Sequence, residues 1–215
     1  MANRPGQAHA LPSSLDAAVP PTASLAILGS TGSIGRQTLL VAAQEGIRVA
    51  ALAAGRNIEL LADQIAEYQP DFVSVADQEA GDLLISRLLE MDLDKLPEIQ
   101  AGPQGAVRAA AWPGADTVMA AITGFAGLEP VLAAIEAGKK IALANKEALV
   151  VAGREVLRRA ELSGAWILPV DSEYSAIWQC LLAAPPGSVR RLIITCSGGP
   201  FHGRERQALE GVTVE

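Results

Sequence analysis

A glycine-rich turn near the start of the chain restricts its fold more than any other feature of the sequence. The apolar run Leu25–Leu28 ends directly in Gly29, and the following residues read Ser-Thr-Gly-Ser-Ile-Gly up to Gly35. Apolar residues then recur at helical spacing from Ile34 onward. A strand, a turn with three glycines and a helix are typical of a βαβ unit that holds a pyrophosphate at the helix N-terminus. The spacing is G-x-x-G-x-x-G, so the turn predicts a nucleotide site only because of its position between a strand and a helix.

The same alternation of short apolar runs and amphipathic stretches continues along the chain. Further strands are predicted at Val49–Ala54, Phe72–Val75, Thr117–Ala120 and Ile141–Leu143. Half of the residues are hydrophobic and only 4% are aromatic, which suits buried parallel strands between helices. We therefore predict an α/β fold with a Rossmann-like, doubly wound parallel sheet.

The regular alternation of apolar runs and amphipathic stretches changes near Val150, which predicts a second domain. Residues 1–24 are rich in Pro, Ala and Ser and are predicted to form a flexible tail, not a secretory signal. Residues 25–150 are predicted to form the nucleotide-binding domain, and 151–215 the beginning of an α+β catalytic domain. That second part includes a strand near Trp166–Val170 and another apolar run at Arg191–Thr195, which we interpret as a strand.

Charge and cysteine content exclude several classes of function. The net charge is -7 without a basic stripe, which argues against nucleic acid as a partner. No apolar run approaches the roughly 18 residues of a membrane span. Cys180 and Cys196 are the only cysteines, too few for a zinc site, and they predict two buried or half-buried thiols in a reducing cytoplasm.

The residues after the second strand indicate which dinucleotide is bound. NAD sites usually carry an acidic residue here, about 20 residues after the glycines. This chain has Gly55, Arg56 and Asn57 instead. Arg56 can pair with a ribose 2′-phosphate, which favours NADP over NAD. An ordinary surface arginine is the alternative interpretation.

A polar cluster follows the strand at Ile141–Leu143, where a doubly wound sheet binds its ligands. Asn145, Lys146 and Glu147 can reach a nicotinamide ribose and an anionic substrate. The alternative is a helix start at which Glu147 complements the helix dipole.

A second polar cluster reads Pro-Val-Asp-Ser-Glu over residues 169–173. If this segment is extended, Asp171 and Glu173 project to one face and form a pair of hard oxygen ligands suited to Mg²⁺ or Mn²⁺. The alternative is a helix start with Asp171 or Ser172 as the N-cap. Farther along, the small residues around Ser197 can cradle a phosphate or form a plain turn.

Five segments in this order, GSTGSIG, AGRN, LANKE, PVDSE and SGGPF, resemble the 1-deoxy-D-xylulose 5-phosphate reductoisomerase family of non-mevalonate isoprenoid biosynthesis. The resemblance spans residues 25–202. It implies that NADPH is bound by Thr31, Gly32, Ser33, Ile34, Gly55, Arg56, Asn57, Asn145 and Glu147. It implies that Asp171 and Glu173 bind the divalent metal, that Lys146, Ser172 and Glu173 are catalytic, and that these three together with Ser197 bind the phosphorylated sugar substrate.

The resemblance also implies a homodimer in the full-length form. Two departures from the family pattern matter. Tyr174 stands where the family usually has His, and the chain ends at Glu215, before the family's lid and a third metal carboxylate. We therefore expect a chain that binds NADPH but turns over poorly or not at all.

Two other interpretations are open. One is a nucleotide-binding module without catalysis. The other is a different NADP-dependent oxidoreductase with Cys196 as its nucleophile, although no histidine partner is evident.

Overall fold

The computed structural model describes residues 20–91, 93–182, 184–185, 187–194 and 198–213. Strands and helices alternate through most of this part of the chain. In chain order they are β1 Ser24–Leu28, α1 Ser33–Glu45, β2 Arg48–Ala53, α2 Ile58–Tyr68, β3 Phe72–Val75, α3 Gln78–Glu90, β4 Glu98–Ala101, α4 Pro103–Ala110, β5 Thr117–Ala120, α5 Leu128–Glu136, β6 Lys140–Leu143, α6 Glu147–Ser163, β7 Trp166–Pro169 and α7 Ser172–Leu182.

The strands form one seven-stranded sheet in the order β4-β3-β2-β1-β5-β6-β7. Every neighbouring pair is parallel. The chain first builds the sheet outward from β1 to β4 and then returns to the other side of β1 with β5. This confirms the predicted doubly wound α/β fold and places its topological switch point between β1 and β5.

Helices cover both faces of the sheet. On one face α1, α2 and α3 bury Leu39, Leu61 and Leu84 against the strands. On the other face α4, α5 and α6 bury a second cluster that includes Ile135 and Val156. Burial on both sides explains why the central strands read as continuous apolar runs.

The chain divides into two compact units, one ending at Val170 and one beginning at Asp171. The boundary predicted at residue 150 falls inside α6. Because β7 pairs with β6, residues up to Pro169 belong to the unit that contains the sheet.

The structure differs from the prediction in three places. It adds β4 and α4, which carry few large apolar residues and had no clear periodic signal. The strand predicted at Arg191–Thr195 is wrong: residues 191–194 are neither helix nor strand, and Thr195 lies outside the described residues. Leu192 and Ile194 are exposed, as is Cys180, which we expected to be at least half-buried. Within the described ranges, no helix is long and apolar enough to cross a membrane.

Candidate functional site

The carboxyl edge of the sheet at the switch point brings several of the predicted residues together. The turn after β1 is tied to β2 because the Gly29 and Ser30 N–H groups both donate to the Ala53 carbonyl oxygen, at 2.8 and 3.0 Å. On the other side of β1, the Ala121 N–H donates to the Leu28 carbonyl oxygen at 2.9 Å. The glycine-rich turn therefore lies between the ends of β2 and β5.

Two glycines of the turn are required by its shape. Gly29 has a φ of 85°, and a Cβ there would lie 2.8 Å from the Ala121 oxygen. At Gly35, a Cβ would lie 2.6 Å from the Ser30 Cα and closer still to the Gly29 oxygen. Because Gly29 and Gly35 have no side chains, α1 can begin in direct contact with the turn.

The N-terminus of α1 is open to a ligand. Gly32 is its N-cap residue, and in the described structure no side chain caps the helix. Ser33 and Ile34 are exposed, and their N–H groups belong to the first turn, where an α-helix supplies no acceptor. Thr31 is half-buried beside them. Free N–H groups together with the positive end of the helix dipole make this a suitable place for a phosphate.

The side chain of Gln64 forms a hydrogen bond with the glycine-rich turn, a contact that the sequence did not predict. Its side chain on α2 is buried, and Nε2 donates to the Ser30 carbonyl oxygen at 3.0 Å. A polar residue on the otherwise apolar buried face of α2 was the available signal. The contact joins α2 to the turn across 34 residues of sequence.

The AGRN segment lies at the end of β2, next to the turn. Gly55, Arg56 and Asn57 are exposed. Asn57 is the N-cap of α2, and its Oδ1 accepts from the Leu60 N–H at 3.4 Å.

Arg56 forms two ion pairs that the sequence did not predict. Its Nη2 contacts the carboxylate of Asp77, and its Nη1 lies 3.1 Å from Glu79 Oε2. Asp77 and Glu79 lie at the beginning of α3, which follows the strand next to β2.

Asn145 holds two loops of the site together. It is almost fully buried, and Nδ2 donates to the Ile122 and Gly124 carbonyl oxygens at 2.6 and 2.9 Å. Its Oδ1 accepts from the Ala148 N–H at 3.3 Å, in the first turn of α6. The side chain is thus used to link the β5–α5 loop with the start of α6. Lys146 and Glu147 beside it are exposed.

The β5–α5 loop at residues 121–127 belongs to this edge of the sheet and was missed in the sequence. Gly124 has a φ of 71°. A Cβ on the buried Gly127 would collide with the Asn145 amide and would lie 2.7 Å from the Ile122 oxygen. Two glycines shortly after a predicted strand were the signal for a shaped loop here.

In the second unit, residues 171–173 begin a helix. Ser172 is the first residue of α7, and Asp171 accepts from the Tyr174 N–H through Oδ1 at 3.1 Å. The extended conformation considered for this segment is therefore wrong, because the N-cap interaction stabilises a helix start instead. Asp171 and Glu173 therefore do not share one face of an extended segment.

The carboxylates of this segment still suit a divalent metal. Asp171 and Glu173 are half-buried, and only Oδ1 of Asp171 is used in the cap. Among the described residues there is no cluster of three or more His, Cys, Asp or Glu side chains that could hold a metal. Ser197 lies outside the described residues.

Comparisons with known proteins point to one family over almost the whole chain. The family model described as 1-deoxy-D-xylulose 5-phosphate reductoisomerase matches residues 25–153, and the model of that family's C-terminal domain matches residues 167–215. A curated relative of that name from Symbiobacterium thermophilum is 53% identical over 193 residues, which is 89% of this chain and 49% of the relative. A chloroplastic relative from Mentha piperita is 48% identical over 194 residues, 88% of this chain and 40% of the relative.

A solved structure shows the same fold. The reductoisomerase from Zymomonas mobilis in complex with NADPH has a TM-score of 0.74 and 41% identity, over 88% of this chain and 50% of that one. Another reductoisomerase structure, in complex with NADPH, fosmidomycin and magnesium, has a TM-score of 0.69 and 42% identity, over 73% of this chain and 38% of that one. The chain spans about half the length of the curated relatives it matches.

Proposed function

We propose, because this chain belongs to the 1-deoxy-D-xylulose 5-phosphate reductoisomerase family, that it forms the NADPH-binding part and part of the active site of such an enzyme. The reaction is the NADPH-dependent conversion of 1-deoxy-D-xylulose 5-phosphate to 2-C-methyl-D-erythritol 4-phosphate. Residues 25–150 serve the cofactor, and residues 151–215 contribute metal and substrate ligands.

The observation that carries this proposal is the uncapped N-terminus of α1 at the switch point of the sheet. Doubly wound sheets bind their ligands at this place. The backbone N–H groups of Ser33 and Ile34 bind the pyrophosphate of NADPH, with Thr31 and Gly32 beside them; the Gly32 N–H itself donates to the Gly29 carbonyl oxygen at 3.1 Å. The solved relative from Zymomonas mobilis is a complex with NADPH, which supports this assignment.

Arg56 selects NADPH by pairing with the 2′-phosphate, and Gly55 and Asn57 lie beside it. A guanidinium suits a phosphate because it offers several N–H donors in one plane. Asn145 acts through the loop that it holds, since its own side-chain hydrogen bonds are made within the protein. Glu147 lies along the cofactor, and Lys146 supplies a positive charge to the substrate near the nicotinamide.

Asp171 and Glu173 hold a divalent cation, Mg²⁺ or Mn²⁺, with carboxylate oxygens. When bound, such a cation acts as a Lewis acid toward the oxygens of the substrate. Ser172 binds the substrate and Ser197 its phosphate. A related structure holds magnesium and fosmidomycin together, which supports a metal next to the substrate. We further propose a homodimer in the full-length protein and a cytoplasmic location.

Titration of the chain with NADPH and with NADH, followed by cofactor fluorescence, tests the cofactor assignment. NADPH is expected to bind at least tenfold more tightly than NADH. Arg56→Gln is expected to remove most of this difference by weakening NADPH binding alone. Equal affinities in the unmodified chain, or an unchanged ratio in the variant, would contradict the role of Arg56.

Consumption of NADPH by the full-length form, in the presence of 1-deoxy-D-xylulose 5-phosphate and Mg²⁺, tests catalysis separately, because the 215-residue chain by itself is expected to turn over poorly. Turnover that is lost in Glu173→Gln with NADPH affinity retained supports the proposed roles. Binding of NADPH without turnover favours the alternative, a nucleotide-binding module.

A further inference from the structure

The site around Arg56 carries more negative than positive charge. Arg56 follows β2, and Asp77 and Glu79 follow β3, the next strand in the sheet. The two loops are joined by their backbones, because the Ala76 N–H donates to the Gly55 carbonyl oxygen at 3.3 Å. One guanidinium and two carboxylates leave this cluster with a formal charge of -1.

Asp77 is held in place independently of Arg56. Its Oδ1 caps α3 by accepting from the Ala80 N–H at 3.1 Å, while Oδ2 contacts Arg56 Nη2. The capping bond fixes this carboxylate beside the end of β2. Glu79 adds a second contact at Nη1, at 3.1 Å.

Another anion can displace both carboxylates from the Arg56 guanidinium. The side chains of Arg56, Asp77 and Glu79 are 65%, 36% and 74% exposed, and ion pairs between groups open to solvent are weak. A 2′-phosphate would need the same guanidinium N–H groups, and it would approach two carboxylates that repel it.

We propose that Asp77 and Glu79 are specificity-determining residues that act through Arg56. They compete with the 2′-phosphate of NADPH for the guanidinium and thereby limit the preference for NADPH over NADH. This inference rests on the proposed function, in which Arg56 binds that phosphate. NADH has no group that competes with these carboxylates, and its ribose 2′-hydroxyl can donate a hydrogen bond to them.

The test measures NADPH and NADH dissociation constants for Asp77→Asn, Glu79→Gln and the double variant. Asparagine caps a helix as well as aspartate does, so Asp77→Asn removes the charge and keeps the start of α3. Each single variant is expected to bind NADPH about threefold to tenfold more tightly, because one repelling charge near the phosphate is gone. NADH affinity is expected to stay within about twofold or to weaken. The gain for NADPH should shrink as salt is added.

Glu90→Gln is the matched control. It removes the same charge from the other end of α3, where Glu90 pairs with Arg87. It is expected to change neither dissociation constant by more than about twofold. A tightening equal to that of Glu79→Gln would overturn the proposal, because the effect would then be one of total charge.

Arg56→Gln separates the two possible failures. If it leaves NADPH affinity unchanged, the proposed role of Arg56 fails. If it weakens NADPH binding while Asp77→Asn and Glu79→Gln leave that affinity unchanged or reduce it, the inference alone is overturned. The carboxylates would then orient the guanidinium and would not compete for it. Far-UV circular dichroism of each variant confirms that α3 is retained.

Discussion

Replacement of Gly35 by alanine tests the close contact between α1 and the glycine-rich turn. Alanine is favoured over glycine inside a helix by about 1 kcal/mol. Here the added methyl group would lie 2.6 Å from the Ser30 Cα and nearer still to the Gly29 oxygen. Both are backbone atoms, so α1 must move away from the turn, and such overpacking costs about 1–3 kcal/mol. Contacts this short with backbone atoms place the strain in the upper part of that range, so we expect a net loss of about 1–2 kcal/mol in the free energy of unfolding.

Gly81→Ala is the matched control for this variant. Gly81 is also a buried helical glycine, but a Cβ there meets its nearest neighbours, on Ala101 and Val75, at 3.7 Å. This is ordinary van der Waals contact, so the helix preference acts without strain. We expect the control to be more stable than the unmodified chain by about 1 kcal/mol.

Urea unfolding followed by circular dichroism measures both stabilities. NADPH titration adds the functional consequence. Displacement of α1 separates its N–H groups from the turn, and hydrogen bonds to charged groups contribute about 1.5–3 kcal/mol each. Gly35→Ala is therefore expected to weaken NADPH binding about tenfold or more, while Gly81→Ala leaves it unchanged. A Gly35→Ala protein that gains stability and binds NADPH normally would refute the steric reasoning.

Three further substitutions each test a single contact. Asn145→Ala leaves two loop carbonyl groups without their donor and should lower the free energy of unfolding in urea by about 1–3 kcal/mol; an unchanged stability would show that water replaces the amide. Burial would raise the pKa of Asp116, but hydrogen bonds and the Lys140 ammonium lower it to about 2. Because this pKa is lower in the folded state, the stabilisation is present above about pH 4 and is lost as the pH falls toward 2. This stabilisation is about 1 kcal/mol after allowance for the partial exposure of the carboxylate. The free energy of unfolding of Asp116→Asn, measured in urea, should therefore fall less steeply with decreasing pH than that of the unmodified chain. Equal slopes for the two proteins would contradict this reasoning. Asp171→Asn should keep the far-UV spectrum, because asparagine also caps α7, but weaken Mn²⁺ binding in calorimetry about tenfold; equal Mn²⁺ affinity would exclude this carboxylate as a ligand.

Local sequence pattern was sufficient to predict the fold class. Apolar runs such as Leu25–Leu28 and Phe72–Val75 are buried on both faces of a parallel sheet, so their hydrophobicity marks them as strands. The helices between them bury one face, which produces a helical period. The short strand β4 and helix α4 escaped prediction because edge position and small side chains leave little such signal.

The fine structure of the site was decided by tertiary contacts. Gln64 reaches Ser30 across 34 residues, and Arg56 reaches Asp77 across 21. A periodic pattern carries no information about such pairs, because each partner looks like an ordinary polar residue in its own segment.

Asn145 and Asp171 also show which properties of a residue the sequence predicts and which the tertiary contacts decide. Their positions after strands were predictable, and the sequence by itself identified both as polar residues in family motifs. That the Asn145 amide links two loops, and that Asp171 caps a helix, followed only from the fold. The sequence by itself determined most of the elements and their order, because burial and periodicity are properties of each segment alone. Only the tertiary structure decided which donor meets which acceptor, because that depends on how the strands are arranged side by side.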